Sequence, residues 1–345
     1  TPVGEWRLTR DISLDYRNTQ QSISISPHCW RNPNAELCVP RTIEAGPSGQ
    51  ASIVLNRFDL VLLGQLLDSD TKVSRVFTGN ADVSWRADGT LPPARVTLNG
   101  NGVSVTQMIE GQPLPIALET LRLDANMNGN RAQLNWLMKI ASNGSFNGNV
   151  QVNDPQGQRN LSGNVVIDGL SLALIRPILN ESESAEGALN ANLRLAGTAQ
   201  NPRILGHLAL DKLHINSQWI PLTIKQGNLA LNFNGTSSDL TGQIQTEKGS
   251  LNLSGKADWR QIDAWRASIA AKGDRIRVAM PPTVMLDVSP DIVFEATPQL
   301  LSLNGSVGIP WARISVQEVP ETATRVSPDE VMLDHNLQPI AQRRA

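Results

Sequence analysis

Two cysteines, Cys29 and Cys38, form the pair in this 345-residue sequence whose spacing most directly predicts a chemical bond. They flank an Asn- and Pro-rich stretch that is typical of a tight loop. A disulfide between them would stabilise the fold by about 2–3 kcal/mol in the chain-entropy account, and it would persist only in an oxidising compartment such as a periplasm. A metal site that adds His28, and a pair of buried free thiols, are the alternatives. We predict the disulfide, with Trp30 packed beside it.

Residues for acid–base or nucleophilic catalysis are few. The chain has one tyrosine and four histidines: His28, His207, His214 and His335. His207 alternates with Leu208 and Leu210, which places it on the opposite, solvated side of a strand. No Gly-x-Ser-x-Gly elbow occurs, and the carboxylates are scattered through turns instead of being paired across strands. We therefore expect a protein that is not an enzyme and has no catalytic residues, cofactor or metal.

Nucleotides and nucleic acids are poor candidates for ligands. Residues 249–256 resemble a phosphate-binding loop, but five residues instead of four separate the glycines, and Ala257 follows where Ser or Thr is required. The net charge is −2 and the isoelectric point is about 6.1, with no basic block in the sequence. Binding to nucleic acid through counterion release therefore has no evident source of positive charge, and we expect no nucleic-acid partner.

No stretch of the sequence is suited to crossing a membrane. The longest apolar stretch, residues 58–67, falls short of the roughly 20 residues that a transmembrane helix needs, and it contains Asp59, Gly64 and Gln65. The sequence begins Thr1-Pro2-Val3, without an initiator Met or a charged-then-apolar leader. We expect either a processed product or an internal segment of a longer protein.

Short runs of alternating apolar and polar residues fill most of the sequence. In one example, Leu121, Leu123, Ala125 and Met127 alternate with polar residues, and the turn signal Asn128-Gly129 follows. Such runs predict on the order of 20 strands, and one antiparallel sheet of that size would be roughly 90–100 Å long. A few helices could not cover its apolar face. We therefore predict an all-β fold with an elongated antiparallel sheet that curls or binds something.

Two segments depart from the period-two alternation, and the spacing of their apolar residues predicts short helices. Residues 58–68 and 170–180 have apolar residues at helical spacing, and a shift of 112 positions superposes Leu60 on Leu172. Arg75 then falls on Gly187, where we expect a different turn geometry. We predict N-terminal strands with the disulfide loop 29–38 over residues 1–57, a first helix-plus-strands unit over 58–169, a second unit over 170–318 that continues the same sheet, and an extended tail over 319–345.

The apolar members of successive strands in the second unit are the candidate binding residues. Alternation places them on one interior face of the sheet, where they would form a hydrophobic groove for lipid. They are Leu193, Leu195, Leu208, Leu210, Leu229, Leu231, Phe233, Leu251, Leu253, Ile276, Val278, Leu301 and Leu303. Their neighbours are expected to face water: Asn192, Arg194, His207, Asn232, Asn252, Arg277 and Ser302. For any single strand, an ordinary protein core is the alternative interpretation.

Two parts of the chain resemble the TamB branch of the AsmA-like family. Residues 197–210 have the family's loose Gly-Thr, Asn-Pro and Gly-x-Leu-x-Leu pattern. A more specific match begins with Gly308-Ile309-Pro310-Trp311 and continues through residues 319–321 and 327–331. With the intervening hairpins, the resemblance covers most of the chain. It implies a long sheet bent into a U, a β-taco, whose interior is an apolar groove.

The resemblance also implies a place and a role. Members of this family are periplasmic proteins, anchored in the inner membrane of Gram-negative bacteria, that work with the outer-membrane Omp85-type barrel TamA. The implied activity is passage of phospholipids between the two membranes. The alternative is a chaperone or scaffold for outer-membrane or autotransporter protein assembly, acting through β-augmentation with TamA. Membrane contact would come through parts of the full-length proteins that are not present in this chain.

Overall fold

The computed structural model describes residues 4–65, 67–88, 92–280, 282–315, 333 and 335–338. In this part of the chain, 23 strands form one antiparallel sheet. The strands are β1 Arg7–Leu8, β2 Leu14–Arg17, β3 Ser22–Ile25, β4 His28–Asn32, β5 Ala35–Val39, β6 Ile43–Ala45, β7 Gly49–Asp59, β8 Thr71–Ser74, β9 Val76–Trp85, β10 Ala94–Ile109, β11 Gln112–Asn128, β12 Arg131–Ile140, β13 Ser145–Asn153, β14 Asn160–Ser171, β15 Ser184–Gly197, β16 Pro202–Asn216, β17 Ile224–Gly235, β18 Ser237–Thr246, β19 Ser250–Asp258, β20 Arg266–Asp274, β21 Ile276–Met280, β22 Val284–Ala296 and β23 Leu301–Ile314.

The described residues contain three short 3₁₀ helices, Leu60–Gln65, Leu172–Ile178 and Ile262–Ala264. The first two lie inside the ranges that the sequence predicted, and the third was not predicted. The fold prediction is confirmed: the protein is an elongated, curled, all-β sheet with short helices at the expected places.

Most of the sheet is a meander in which each strand pairs with the next one in the chain. From β9 to β20 every hairpin follows this rule, and β22 and β23 close the series. At the N-terminal end, β7 carries two arms, one formed by β5, β4 and β1 and the other by β6, β3 and β2. The short turns of the meander explain how so many strands share one sheet.

The two predicted 3₁₀ helices occupy equivalent places in the sheet. Each follows a long strand, β7 or β14, and each precedes a strand that bends at a residue with positive φ: Arg75 at 88° or Gly187 at 148°. An L-residue rarely adopts such a φ, and the Arg75 carbonyl accepts a hydrogen bond from the Leu60 amide at 2.9 Å. The turn geometry differs as expected: Arg75 lies between β8 and β9, whereas Gly187 lies inside β15 at a register shift between Glu186 and Ala188.

Two hydrophobic clusters lie beneath these helices. Cluster 1 consists of the buried residues Leu60, Val103, Leu118 and Leu121. Cluster 2 consists of Leu213, Ile224 and Ile244, and Leu172 of the second helix packs against it. Each helix thus covers one margin of the sheet's apolar side and builds a conventional core there. The described residues continue in one sheet through both predicted units, whereas most of the predicted tail 319–345 lies outside them.

Cys29 and Cys38 form the predicted disulfide. They are direct partners in the β4–β5 hairpin, so their sulfurs meet without any further loop closure. With both sulfurs used in this bond, neither thiol is free for the alternative metal site. Trp30 follows Cys29 in β4, and adjacent strand residues point to opposite sides of a sheet, so the predicted packing of Trp30 beside the bridge stays a prediction. The ring of Trp30 lies 6.4 Å from that of His28.

A buried ionic cluster fixes the sheet near β21 and β22. Asp287 is 1% exposed, and its two carboxylate oxygens accept hydrogen bonds from Arg277 Nε, at 2.6 Å, and from the ammonium group of Lys248. The Arg277 guanidinium also lies over the ring of Trp311, 4.8 Å from its centroid. Arg277 was predicted to face water; it lies on the polar side of the sheet, but its charge is used in this cluster.

The cluster predicts a specific dependence of stability on pH. Hydrogen bonds from Arg277 and then from Lys248 lower the pKa of Asp287 below its ordinary 3.8. The unfolded chain therefore takes up this proton first, so the contribution of Asp287 is complete above its ordinary pKa and is lost as the pH falls toward the lowered pKa. In thermal unfolding, D287N is expected to show a smaller loss of stability than the wild type between pH 5 and pH 3. An identical loss in both proteins would contradict this assignment.

Candidate functional site: the apolar face of the sheet

Registered strand pairing aligns apolar residues into rows that run along the whole sheet. We define the central row as the chain of direct cross-strand partners Ala35, Phe58, Phe77, Gly100, Leu121, Met138, Phe146, Ile167, Ala191, Leu208, Leu231, Leu240, Gly255, Ile269, Phe294 and Leu303. Every member is apolar or glycine. Because direct partners lie on the same side of a sheet, the row is one uninterrupted apolar strip.

Two further rows flank the central row on the side away from the first two helices. The second row is Leu8, Trp30, Leu37, Leu55, Gly79, Leu98, Leu123, Trp136, Gly148, Val165, Leu193, Gly206, Phe233, Ser238, Ala257, Ala267, Ala296 and Leu301. The third row is Ile53, Ala81, Val96, Ala125, Leu134, Val150, Gly163, Leu195, Ile204 and Gly235. The three rows together are called the apolar face. Ser238 is its one polar member.

The opposite side of the sheet is mainly polar at the same level. Between the central and second rows, the partners on that side include Asn99, Arg122, Asn147, Asn192, His207, Asn232, Asp239, Lys256, Ser268, Glu295 and Ser302. A one-residue slip of any strand would exchange these side chains for those of the apolar face. Two members of this row, Leu137 and Val166, are apolar. The register is therefore favoured by the predominance of polar residues on one side and apolar residues on the other.

Glycines allow large side chains to lie flat across the apolar face. A Cβ built on Gly148 would lie 2.5 Å from Cζ2 of Trp136, so the indole occupies the space above that glycine. The same ring is tilted against Phe146, with centroids 5.6 Å apart. At Gly206, with φ of 123°, a Cβ would meet the carbonyl oxygen of Asn192 at 2.1 Å. Glycine is therefore required there by the backbone itself.

The 13 predicted groove residues occupy three environments. Ile276 is buried at 2% exposure, and Leu210, Leu251 and Leu253 pack against cluster 2, so these four contribute to a conventional core. The residues Leu193, Leu195, Leu208, Leu229, Leu231, Phe233 and Val278 are half-buried. Leu301 and Leu303, on strand β23, are 67% and 65% exposed. Strand pairing places most of the predicted set on one side of the sheet, but only part of it is open.

Solvent reaches the apolar face mainly at its C-terminal strands, β20 to β23, and toward the margin that the first two helices leave free. Ile269 and Phe294 of the central row are 42% and 41% exposed, and Leu134 of the third row is 41% exposed. An open pocket of about 530 Å³ there is lined chiefly by apolar side chains of β10 to β13, including Val96, Leu134 and Val150. Apolar surface left in contact with water is the feature that distinguishes a binding surface from a core.

The sequence analysis missed the N-terminal half of this surface. Alternation in β11 and β12 was visible, but the candidate residues all began at Leu193. It also missed a small arm, β2–β3–β6, in which Leu14, Tyr16 and Ile23 share one side and are 68%, 61% and 39% exposed. Only the pairing register shows which runs share a row. Within the described ranges, no helix has the length and apolar character needed to cross a bilayer.

An open, curled sheet with one continuous apolar face places the chain among elongated all-β proteins. The TamB N-terminal domain family matches residues 1–210, and the TamB C-terminal domain family matches residues 236–344. The chain therefore belongs to the TamB family. It is 32% identical over 337 residues to the translocation and assembly module subunit TamB of Haemophilus influenzae, and that alignment covers 97% of this chain and 26% of the relative. The chain thus spans about a quarter of that protein's length. No solved structure matches.

Proposed function

We propose that this chain is a segment of a non-enzymatic phospholipid carrier, and that lipid acyl chains move along its apolar face between the inner and outer membranes. The observation that carries this proposal is the uninterrupted central row, which continues through sixteen strands, from Ala35 to Leu303, without a polar side chain. A single compact core needs no such length. A substrate that is itself long and apolar accounts for it.

The energetics favour acyl chains as the substrate. Burying an acyl chain contributes about 0.8 kcal/mol per CH₂ group, so half of a chain is enough to offset the freedom that is lost on binding. The apolar face offers almost no directed polar contacts to a hydrocarbon. Binding energy therefore changes little from one position to the next, which permits sliding along the row.

Membership of the TamB family supports a partner and a cellular location for this activity. The relative from Haemophilus influenzae is named as a subunit of a translocation and assembly module. We extend that to this chain as a partnership with the outer-membrane barrel TamA, in a periplasmic protein whose longer form is anchored in the inner membrane. The Cys29–Cys38 disulfide supports an oxidising compartment.

Photocrosslinking tests the substrate directly. A photoreactive amino acid at Ile269 of the full-length protein is expected to give adducts that mass spectrometry identifies as phospholipid. The matched position is Ser268, its neighbour on the polar side, where lipid adducts are expected to be absent. Polypeptide adducts at Ile269, without lipid, would contradict the proposal and favour assistance to protein assembly.

The edge strand β23 supports this second candidate function. Twelve of its fourteen residues pair with β22, no other described strand pairs with it, and all of its residues except Ser302 are exposed. Unpaired backbone amides and carbonyls can receive a strand from another polypeptide by β-augmentation. A scaffold for outer-membrane or autotransporter proteins would use this edge. Crosslinks from Ile309 to a client polypeptide would support this second function.

A further inference from the structure

Three side chains that can bind a metal ion converge at the β4–β5 hairpin. Cys29 and Cys38 are direct cross-strand partners, and Glu36 precedes Cys38 by two positions in β5. Residues two positions apart in a strand point to the same side of a sheet. The two sulfurs and a carboxylate oxygen of Glu36 all lie within 4.8 Å of one another. We call Cys29, Glu36 and Cys38 the hairpin triad.

The hairpin triad lies on the polar side of the sheet, away from the apolar face. Trp30 and Leu37 belong to the second apolar row, and each is the immediate neighbour of a cysteine in its strand. Because adjacent strand residues alternate between the two sides, both cysteines lie opposite that row. The hairpin triad is therefore separate from the surface that we propose for acyl chains.

His28, which the sequence suggested as a third metal ligand, is not part of this cluster. It lies on the same side of β4 as Trp30, and its Nδ1 is 2.8 Å from the carbonyl oxygen of Ser26. Glu36 is the third potential ligand instead. Only the pairing register shows this, since Glu36 and Cys29 lie in different strands.

Polar neighbours hold the Glu36 carboxylate in place and keep it ionised. Arg31 is the cross-strand partner of Glu36, and its Nε and Nη2 each lie 2.6 Å from Glu36 Oε2. Asn56 Nδ2 donates a hydrogen bond to Oε1 at 2.9 Å. The hydrogen bonds from Asn56 and then from Arg31 lower the pKa of Glu36 below its ordinary 4.5. The carboxylate therefore has no proton to lose at neutral pH before it binds a cation.

The position of this carboxylate beside Cys38 suits a tetrahedral zinc ion. Glu36 Oε1 lies 3.6 Å from Cys38 Sγ. Zinc holds sulfur at about 2.3 Å and carboxylate oxygen at about 2.0–2.2 Å, so a tetrahedral angle separates two such ligand atoms by about 3.6 Å. Thiolates are the ligands, and a disulfide has none to offer. The site therefore forms only after the Cys29–Cys38 bond has been reduced.

The mixed ligand set favours zinc over other biological cations. Mg²⁺ and Ca²⁺ take oxygen ligands, and Cu(I) favours soft sulfur ligands over a carboxylate. Zn²⁺ accepts both thiolates and carboxylates. Cys38 is 6% exposed, whereas Cys29 is half-buried and the Glu36 side chain is 23% exposed. Water can therefore reach the outer side of the cluster and serve as the fourth ligand.

We propose that the hairpin triad binds Zn²⁺ in its reduced form, so that a metal ion and a disulfide are alternative cross-links between β4 and β5. A dithiol reductant supplies two electrons and two protons to the Cys29–Cys38 bond, which yields two thiols, and the reductant becomes a disulfide. Zn²⁺ then displaces both thiol protons and is held by two thiolates, the Glu36 carboxylate and water. Either cross-link joins the same two strands, so the hairpin keeps its register before and after oxidation.

Metal titration of the reduced protein tests this proposal. The full-length protein is reduced with tris(2-carboxyethyl)phosphine, desalted without oxygen, and titrated with Zn²⁺ in competition with a chromogenic chelator. We expect one more Zn²⁺ per chain than in C29S/C38S, and no such excess in the oxidised protein. Co²⁺ in the reduced wild type is expected to show a thiolate charge-transfer band that C29S/C38S lacks.

Two variants examine the carboxylate, and a third is the control. E36Q is expected to weaken Zn²⁺ binding about a hundredfold, because even the partners that orient a ligand contribute about 10–100-fold. R31Q removes such a partner and is expected to cost about tenfold. E44Q removes an exposed carboxylate on the same side of the neighbouring arm, and it is expected to match the reduced wild type.

Each other outcome has a defined meaning. Equal Zn²⁺ uptake by the reduced wild type and C29S/C38S would overturn the proposal. Tight binding that E36Q leaves unchanged would show a dithiol site and overturn the role of the carboxylate. If reduction loosens the hairpin, Zn²⁺ is expected to restore slow amide exchange in β4 and β5, and failure to do so would overturn the alternative cross-link. None of these measurements depends on lipid, so the proposed function is tested separately.

Discussion

Replacing Leu231 with aspartate is expected to abolish lipid crosslinking while leaving the protein folded. Leu231 lies in the central row between Leu208 and Leu240 and is half-buried. A carboxylate there would interrupt the apolar strip, and an acyl chain crossing it would meet an uncompensated charge at a cost of about several kcal/mol. The readouts are lipid adducts from a photoreactive residue at Ile269 and the integrity of the outer membrane in cells.

Matched variants separate this effect from general damage. N232D places the same charge one residue away on the polar side, and it is expected to leave crosslinking unchanged. I269D, at a position that is 42% exposed, replaces the crosslinking position itself, so it is scored by outer-membrane integrity alone. It should reproduce the loss of integrity caused by L231D, whereas S268D should not. Leu253, in contrast, packs against cluster 2, so a charge there tests the core instead of the conduit. If L231D unfolds the protein, the strip is an ordinary core. If L231D folds and lipid transport continues, the proposal that lipid moves along the apolar face is wrong.

Replacing Leu60 with alanine is expected to weaken the N-terminal part of the sheet by about 2–5 kcal/mol. Leu60 is 2% exposed and packs in cluster 1 with Val103, Leu118 and Leu121, so truncation leaves a cavity beneath the first 3₁₀ helix. Stability in an elongated sheet is mostly a matter of neighbouring strands, so the loss should stay local. Amide exchange in β8 to β11 is expected to accelerate about thirtyfold or more, since each 1.4 kcal/mol is a factor of ten.

Leu213 provides the reciprocal test in cluster 2. L213A is expected to accelerate exchange in β16 to β18 and to leave β8 to β11 unchanged, because Leu213 is 4% exposed among residues of that second cluster. V61A is the local control: Val61 lies in the same helix as Leu60 but is 60% exposed, so its truncation should cost less than about 0.5 kcal/mol. Uniform acceleration along the whole sheet in L60A would show one cooperative unit and contradict this expectation.

Local patterns in the sequence determined the secondary structure and the amphipathic character of this protein. Alternation with period two marks a strand and its apolar side wherever the chain is half-buried, and this is why Leu193, Leu208 and Leu231 were assigned to one side in advance. The spacing of apolar residues around Leu60 and Leu172 involves only near neighbours in the sequence, so it was enough to predict the two short helices. The Cys29–Cys38 pair needed only its spacing and its loop composition to be predicted.

Only the tertiary structure decided which strands are partners and which apolar residues remain open. Pairing register depends on bulges such as the one between Glu186 and Ala188, and no residue pattern specifies how many positions a bulge shifts the strand. The helices cover one margin of the apolar side, so Leu253 became core while Ile269 stayed exposed, although both belong to alternating runs. Alternation in the sequence shows on which side of its strand a residue lies. Whether that residue is buried, and which residues it contacts, depends on the strands and helices that pack against it.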